Sequence, residues 1–205
     1  MNLDVLIDNE VDLPRLGEVL DGLGHPGRVD TILHWNKRTQ ARLFEAAKGF
    51  RPLTLDHFVP AGTDPLVEVI HWGKNSLPAF THFQKRFCKP KPNGDAHANE
   101  LWGYNWNWYE FASGPGYFVM HPPERKDALE GELDIDYYKV PPAKPDAWPP
   151  IKPNESLTTL GPIIYAKMID VMRGISEHVS IGRAIRGGKW TENYFVLCRE
   201  DPKPS

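Results

Sequence analysis

Cysteine is scarce in this sequence, which has only Cys88 and Cys198 among 205 residues. They are far apart and too few to form a disulfide framework, so reduced thiols are predicted. Long apolar runs are also lacking, since no window approaches the roughly 18 consecutive apolar residues that cross a bilayer. Residues 1–14 carry acids where a signal peptide would carry bases. These features predict a cytoplasmic protein with no membrane partner.

An excess of basic charge is also lacking. The net charge is −3 and the isoelectric point is near 6.2, so no nucleic-acid partner is expected. The sequence contains no HExxH motif and no cysteine pair at zinc spacing. Gly114-Pro115-Gly116 and Gly187-Gly188 lack the surrounding residues of a phosphate-binding loop and are predicted to be turns. We therefore expect no metal and no organic cofactor.

Proline, in contrast, is abundant, with 20 in the chain. Six of them fall within residues 141–153, and this density excludes regular secondary structure there. Residues 141–155 are predicted to form a rigid strap across the surface, covering the edge of a sheet.

Helical periodicity dominates the first fifty residues. Apolar residues recur at helical spacing between Asp12, a favourable N-cap, and Gly24, a favourable stop. A further helix is predicted between Asn36 as its N-cap and Gly49 as its end. Residues 1–50 are therefore predicted to form a helical cap.

Strand patterns begin beyond the cap. Leu66 to Trp72 is short and β-branched, and Trp102 to Phe111 is predicted to pair with Tyr117 to His121 as a hairpin. Glu132 to Val140 is predicted to be the next strand, which gives an antiparallel meander. Val179 to Ile185 and the strand after it form a predicted terminal hairpin.

Two segments fit helices. Residues 75–87 favour a capped amphipathic helix, although their phenylalanines also fit a strand, and residues 160–175 keep helical spacing. The predicted fold is one α+β domain over residues 1–205. It consists of a mainly antiparallel curved sheet or partly open barrel of about six strands, drawn from residues 62–140 and 176–200. The N-terminal helical cap and one or two further helices complete it.

An aromatic row is the first candidate for binding. Trp102, Tyr104, Trp106 and Trp108 alternate along a strand and so share one face. Four large rings make a platform on which a flat molecule can stack. The alternative is that these rings form the core layer under the helical cap.

An acidic row is the candidate for catalysis. Asp134 and Asp136 share one strand face with Glu132, and crowded carboxylates raise one another's pKa. One of the two aspartates, with His121 or His178, can then act as an acid and base pair. The alternative is a sheet with one solvated face.

Arg183 is the candidate for holding an anion, because it projects from an otherwise apolar strand and needs a partner. We therefore predict a small-molecule-binding domain whose ligand is apolar or aromatic with an anionic group. A hollow beside Trp106, Asp136 and Arg183 is required for this function. The alternatives are a cofactor-independent isomerase, cyclase or hydratase that uses the Asp and His pair, and a protein-interaction domain without a pocket.

Overall fold

A computed structural model describes residues 3, 5–8, 10–78, 81–93, 96–106, 114–154 and 165–201 of the chain. Its centre is a closed antiparallel barrel of eight strands. The strands are β1 (Val69–Asn75), β2 (His82–Cys88), β3 (Leu101–Trp106), β4 (Tyr117–His121), β5 (Leu133–Asp136), β6 (Met168–Gly174), β7 (Val179–Arg186) and β8 (Lys189–Arg199).

Each strand pairs with the next one along the chain, and β8 closes the ring by pairing with β1. The predicted hairpins are confirmed, because β3 pairs with β4 and β7 with β8. The predicted α+β fold with an antiparallel sheet is confirmed, and the ring is closed with eight strands where the sequence indicates a curved sheet or partly open barrel of about six. Closure leaves no unpaired edge in the sheet.

The two additional strands are the segments that the sequence favours as helices. Residues 82–88 form β2, and residues 168–174 form β6, which also lies outside the predicted sheet ranges. Apolar residues three and four apart fit a helix, but alternate residues of the same segments fit a strand that is buried on both faces. The helix predictions were therefore wrong at β2 and β6, where tertiary pairing decides the structure.

The helices are α1 (Val5–Asp8), α2 (Leu13–Asp21), α3 (His25–His34), α4 (Lys37–Ala46) and α5 (Leu55–Phe58). Both predicted N-caps are confirmed: Asp12 Oδ1 accepts from the Arg15 amide at 3.0 Å, and Asn36 Oδ1 accepts from the Thr39 amide at 3.0 Å. Gly24 does not end α2, because Gly22 is its C-cap and Gly24 is the N-cap of α3.

The N-terminal helices pack on the outside of the barrel, against the last three strands. Leu16, Leu20 and Phe44 share one buried cluster with Ile181 and Val196, whose side chains point outward. Arg173 on β6 fixes α4 to the wall, since its Nη1 donates to the Phe44 carbonyl at 2.7 Å. The helical layer therefore covers the side of the barrel.

The barrel interior is filled by aromatic rings that lie against glycines on the neighbouring strand. The pairs are Gly73 with Phe83, Gly103 with Phe118, and Gly182 with Phe195. A Cβ placed on Gly103 would lie 2.4 Å from the Phe118 ring, so only glycine permits this packing. Side chains thus occupy much of the lumen.

The proline-rich strap follows the outer face of β3 and β4. Trp148 is buried, with its ring centroid 4.8 Å from that of Tyr104, and its Nε1 donates to Glu68 Oε2 at 2.6 Å. Asn154 Nδ2 donates to the carbonyls of Tyr117 and Tyr137, each at 2.8 Å. The strap therefore covers a sheet face, and the predicted cover of a sheet edge was wrong because the closed ring has none.

Trp148→Ala tests the strap. Because the indole fills a buried site between the strap and β3, we expect the free energy of unfolding to fall by about 3 to 5 kcal/mol in urea denaturation. Trp148→Phe keeps most of the packing and loses the hydrogen bond to Glu68, so a loss of about 1 to 2 kcal/mol is expected. The control is Val67→Ala at an exposed position, whose free energy of unfolding should stay within about 0.5 kcal/mol of the wild-type value. A loss below 1 kcal/mol in Trp148→Ala would contradict this packing.

Candidate functional site

A groove of about 380 Å³ lies outside the barrel, where β6 and β7 meet the turn into β8. Its floor is apolar, because Ile169 and Ile185 are directly paired on adjacent strands. Trp190 and Tyr138 supply aromatic walls, and both are partly exposed. The groove is completed by Arg125, Asp127, Lys167 and Gly188.

The two cations of the groove differ in their availability. Arg125 is committed to protein carboxylates, since its Nε donates to both oxygens of Asp134 at 3.0 Å and its Nη2 contacts Glu132. Lys167 is exposed, and its ammonium has no partner within the described part of the chain. Lys167 is therefore the cation that a ligand can reach, although the exposed Asp127 carboxylate also borders the groove.

Trp190 is held in place by two guanidinium groups. The Cζ atoms of Arg183 and Arg125 lie 5.2 Å and 5.7 Å from the centroid of its ring. Phe44 on α4 packs at 6.0 Å between ring centroids. The indole is thus oriented before any ligand arrives, which lowers the entropy cost of stacking on it.

A second groove, of about 460 Å³, lies at the end of the lumen where β5 begins. Its described lining includes Leu53, Pro122, Leu129 and Glu130, and it contains neither a basic nor an aromatic side chain. The groove beside Trp190 therefore has the basic and aromatic side chains that this second groove lacks.

Arg183 does not line the groove. Its Nε donates to the Thr191 carbonyl at 2.7 Å, and its Nη2 and Nη1 donate to Glu192 and Glu45 at 2.8 Å and 3.4 Å. Its predicted need for a partner is met by these groups, and neither Asp134 nor Asp136 is among them. Arg183 acts on the groove only through the Trp190 ring.

The acidic row on β5 lies on the outer face of the barrel and is neutralised. Glu132 accepts from Arg173 Nε at 2.8 Å, and Asp134 accepts from Arg125. Burial raises the pKa of the Asp134 carboxyl to about 6, although Arg125 opposes this shift. Desolvation is the main cause of this shift, and the neighbouring Glu132 charge is the smallest of its causes.

His121 and Asp136 form the aspartate and histidine pair that the sequence suggests. His121 Nε2 lies 3.5 Å from Asp136 Oδ2, and both residues are buried. This contact raises the pKa of His121, and burial opposes it. Nδ1 of the ring lies 2.7 Å from the Pro122 carbonyl and Lys139 Nζ lies 3.2 Å from Nε2, so both ring nitrogens are occupied. For His121 to act as a base, a substrate would have to displace one of these partners.

His178 is separate from this pair. It lies in the turn between β6 and β7, with its Nδ1 3.4 Å from Arg199 Nη2 and 3.7 Å from Asp201 Oδ1. Its predicted partners Asp134 and Asp136 are not among its contacts. The structure therefore places His178 beside Asp201 and pairs it with neither of the predicted aspartates.

The predicted aromatic platform faces away from the lumen. Trp102, Tyr104 and Trp106 share the outer face of β3, as their alternation predicts, but they pack beneath the strap and Trp148. Trp108 lies outside the described residues. Within the described residues, Trp106, Asp136 and Arg183 do not line a common hollow, because their side chains point outward from three alternate strands of the ring.

A polar cluster inside the barrel was missed at the sequence level. Lys85 Nζ donates to Asp170 Oδ2 at 3.2 Å and to Asn105 Oδ1 at 2.9 Å, and it also contacts the Tyr137 hydroxyl. Lys85 is on β2 and Asp170 on β6, which stand four places apart in a ring of eight. The ion pair therefore crosses the lumen from one wall to the opposite wall.

Four aromatic rings surround this ammonium group. Their centroids lie 5.0 to 5.7 Å from Lys85 Nζ, and the rings are those of Phe83, Phe118, Tyr137 and Phe195. Burial lowers the pKa of Lys85 and raises that of Asp170, and the contact between the two opposes both shifts. Each of the three ammonium hydrogens has an acceptor, so the pair is suited to bracing the barrel.

Alternation along β2 and β6 is the signal that could have revealed this pair. Lys85 has Phe83 and Phe87 two residues away on each side, and Asp170 is flanked in the same way by methionines. On a strand, residues two apart share a face, so each charge must lie among apolar side chains and requires a partner.

Gly22, Gly24 and Gly27 match the spacing of a dinucleotide-binding loop, but they join two helices and do not follow a strand.

Among the described residues, no group of three or more His, Cys, Asp or Glu side chains is placed to hold a metal ion, and no helix has the length and apolarity to span a bilayer. Comparison with known protein families, curated proteins and solved structures gives no match for this chain.

The lumen brace is tested by a double-mutant cycle. Lys85→Met leaves the Asp170 carboxylate buried without its cation, so we expect the free energy of unfolding to fall by about 3 to 5 kcal/mol. Lys85→Met combined with Asp170→Leu removes both charges and should recover part of that loss.

Urea denaturation at pH 7 measures each variant of this cycle. The control is Arg15→Ala, which breaks an exposed ion pair with Glu18 and should cost less than about 1 kcal/mol. Equal losses in the control and in Lys85→Met would contradict a brace across the lumen.

Proposed function

We propose that this chain binds a small flat molecule, apolar or aromatic with one anionic group, in the groove beside Trp190. The observation that supports this function is the combination of an exposed ammonium, an apolar floor and an oriented indole in one groove. A volume of about 380 Å³ lies within the range of small-molecule sites.

The ligand's ring stacks on Trp190 and lies over Ile169 and Ile185, while its anionic group pairs with Lys167. Because Lys167 is exposed, its ion pair adds little affinity and mainly sets the orientation of the ligand. A ligand of about 20 non-hydrogen atoms, at about 0.3 kcal/mol per atom, would bind with a Kd of tens of micromolar.

We favour binding over catalysis because the imidazole of the His121 and Asp136 pair already has a partner at each nitrogen. That pair is the arrangement an acid and base enzyme would use, but both nitrogens of its imidazole are already engaged. Binding is favoured over a docking role for the strap, because Trp148 of the strap points inward and is buried.

The binding proposal is tested with 1-anilinonaphthalene-8-sulfonate, a flat aromatic anion, titrated against the protein by calorimetry. Trp190→Ala removes the stacking surface and should weaken binding at least tenfold. Lys167→Met should weaken it about threefold and leave unchanged the affinity for the neutral analogue N-phenyl-1-naphthylamine.

The matched controls are Trp72→Ala and Lys37→Met, which change a partly exposed tryptophan and an exposed lysine away from the groove. Both should bind the probe like the wild type. The proposal is rejected if the control variants lose as much affinity as Trp190→Ala, or if Trp190→Ala binds normally while keeping its melting temperature.

A further inference from the structure

The short helix α5 closes the end of the lumen at which β1 begins. Its Phe58 is fully buried among the inward side chains of the barrel. The Phe58 ring stacks on that of His71 at 5.3 Å and contacts that of Phe87 at 5.2 Å between centroids. Residues 53–59, which contain α5, are called the plug below.

The plug is fastened by its carbonyl groups. Arg199 Nη1 donates to the carbonyls of Asp56, at 3.3 Å, and of His57, while His71 Nε2 lies 2.9 Å from the Phe58 carbonyl. His71 on β1 and Arg199 on β8 are directly paired across the two strands that close the ring. A guanidinium and an imidazole thus satisfy the last carbonyls of the plug helix.

This geometry fixes the protonation state of His71. Its Nε2 must carry a hydrogen in order to donate to a carbonyl, so the neutral ring leaves Nδ1 bare. Nδ1 of His71 and Nε2 of His57 are both buried, and neither has a hydrogen-bond partner among the described residues. A proton added to either nitrogen would therefore be buried without an acceptor.

The charged groups that face His57 and His71 are mainly cationic. His57 is opposed by Arg199, Arg51 and His178, and His71 by Arg199, His178 and His25. Lys85 on β2 is the inward residue paired opposite His71.

The carboxylates around this cluster are those of Asp201, of Glu177 and, on α5 itself, of the exposed Asp56. Asp201 lies 3.7 Å from His178 Nδ1 and is also paired with Arg28, while Glu177 acts on His178 and Arg199. Burial is the largest cause that lowers the pKa of both rings, to about 3 for His71, which is fully buried, whereas His57 is partly exposed and only its Nε2 is enclosed.

We propose that the plug is an acid-sensitive gate, in which protonation of His57 and His71 releases α5 and opens this end of the lumen. The opened plug hydrates both rings and separates them from Arg199. The gate is independent of the groove beside Trp190, so each proposal can fail without the other.

The sign of the pH effect follows from linkage. In the open state the rings reach water and their pKa returns to about 6.5, whereas in the closed state the rings stay neutral at that pH. Below pH 6.5 the open state binds more protons than the closed one. Each further pH unit then raises the open fraction about tenfold for each histidine, and about a hundredfold for both.

Hydrogen exchange of the full chain measures this opening. The reporters are the amides of His57 and Val59, which donate to the Thr54 and Leu55 carbonyls at 3.0 Å inside the plug. The reference is the amide ladder of Ile181 with Val196 in the barrel wall. Protection factors, which correct for the intrinsic pH dependence of exchange, are recorded at pH 7, 6 and 5.

In the wild type, plug protection should fall about a hundredfold between pH 6 and pH 5 while the reference amides change far less. His71→Gln keeps an amide donor for the Phe58 carbonyl and cannot titrate, so the fall should shrink to about tenfold. His57→Gln should act alike, and the double variant should show no pH dependence beyond that of the reference. His34→Gln, on the exposed end of α3, is the matched control and should behave like the wild type.

Two outcomes would overturn the gate. In the first, the plug amides and the reference amides of the wild type lose protection in parallel. That result would mean that acid unfolds the whole barrel. In the second, the double variant keeps the full pH dependence of the plug. The first outcome is decided by comparing plug and reference amides in the wild type alone. It can therefore be tested even if a glutamine variant folds poorly.

Discussion

Lys85 and Asp170 meet across the barrel, and this contact determines how much of the lumen is filled. Together with rings that lie against inward glycines, it occupies the middle of the lumen with the protein's own side chains. The pair withdraws two charges from water, so it is tolerated only because every ammonium hydrogen has an acceptor and four rings surround it. With the interior engaged in this way, binding surfaces must come from the outer faces of the strands or from the barrel ends.

The outer faces are divided among three coverings. The N-terminal helices bury the outward side chains of the last strands, the proline-rich strap buries those of β3 and β4, and an ionic network of Arg125, Glu132 and Arg173 covers the wall between them. The groove beside Trp190 lies where this network meets the β7 to β8 turn. Its indole borders both the helices and the arginines, so the same contacts that hold the wall also orient the candidate binding surface.

Local signals in the sequence predicted local structure well. The caps at Asp12 and Asn36 and the hairpins of β3 with β4 and β7 with β8 were predictable, because their determinants lie within a few residues. β2 and β6 were not predictable, because the spacing of their apolar residues fits both a helix and a strand. Only pairing with neighbouring strands selects the strand. The Lys85 and Asp170 contact joins residues 85 positions apart, and no local pattern specifies that distance. Trp102, Tyr104 and Trp106 do share one face of β3, but alternation does not say which side of a sheet is inside.

The helices and the last strands share one apolar cluster although they stand far apart in the chain. During synthesis, the leucine-rich stripe of α2 and the Phe44 side of α4 emerge long before β7 and β8 exist to cover them. Until then this stripe is bare hydrophobic surface of the kind that aggregates or recruits chaperones. The nascent chain must therefore protect its earliest segments until nearly all of the barrel has been made, and an interruption of translation before β7 would leave them without a partner.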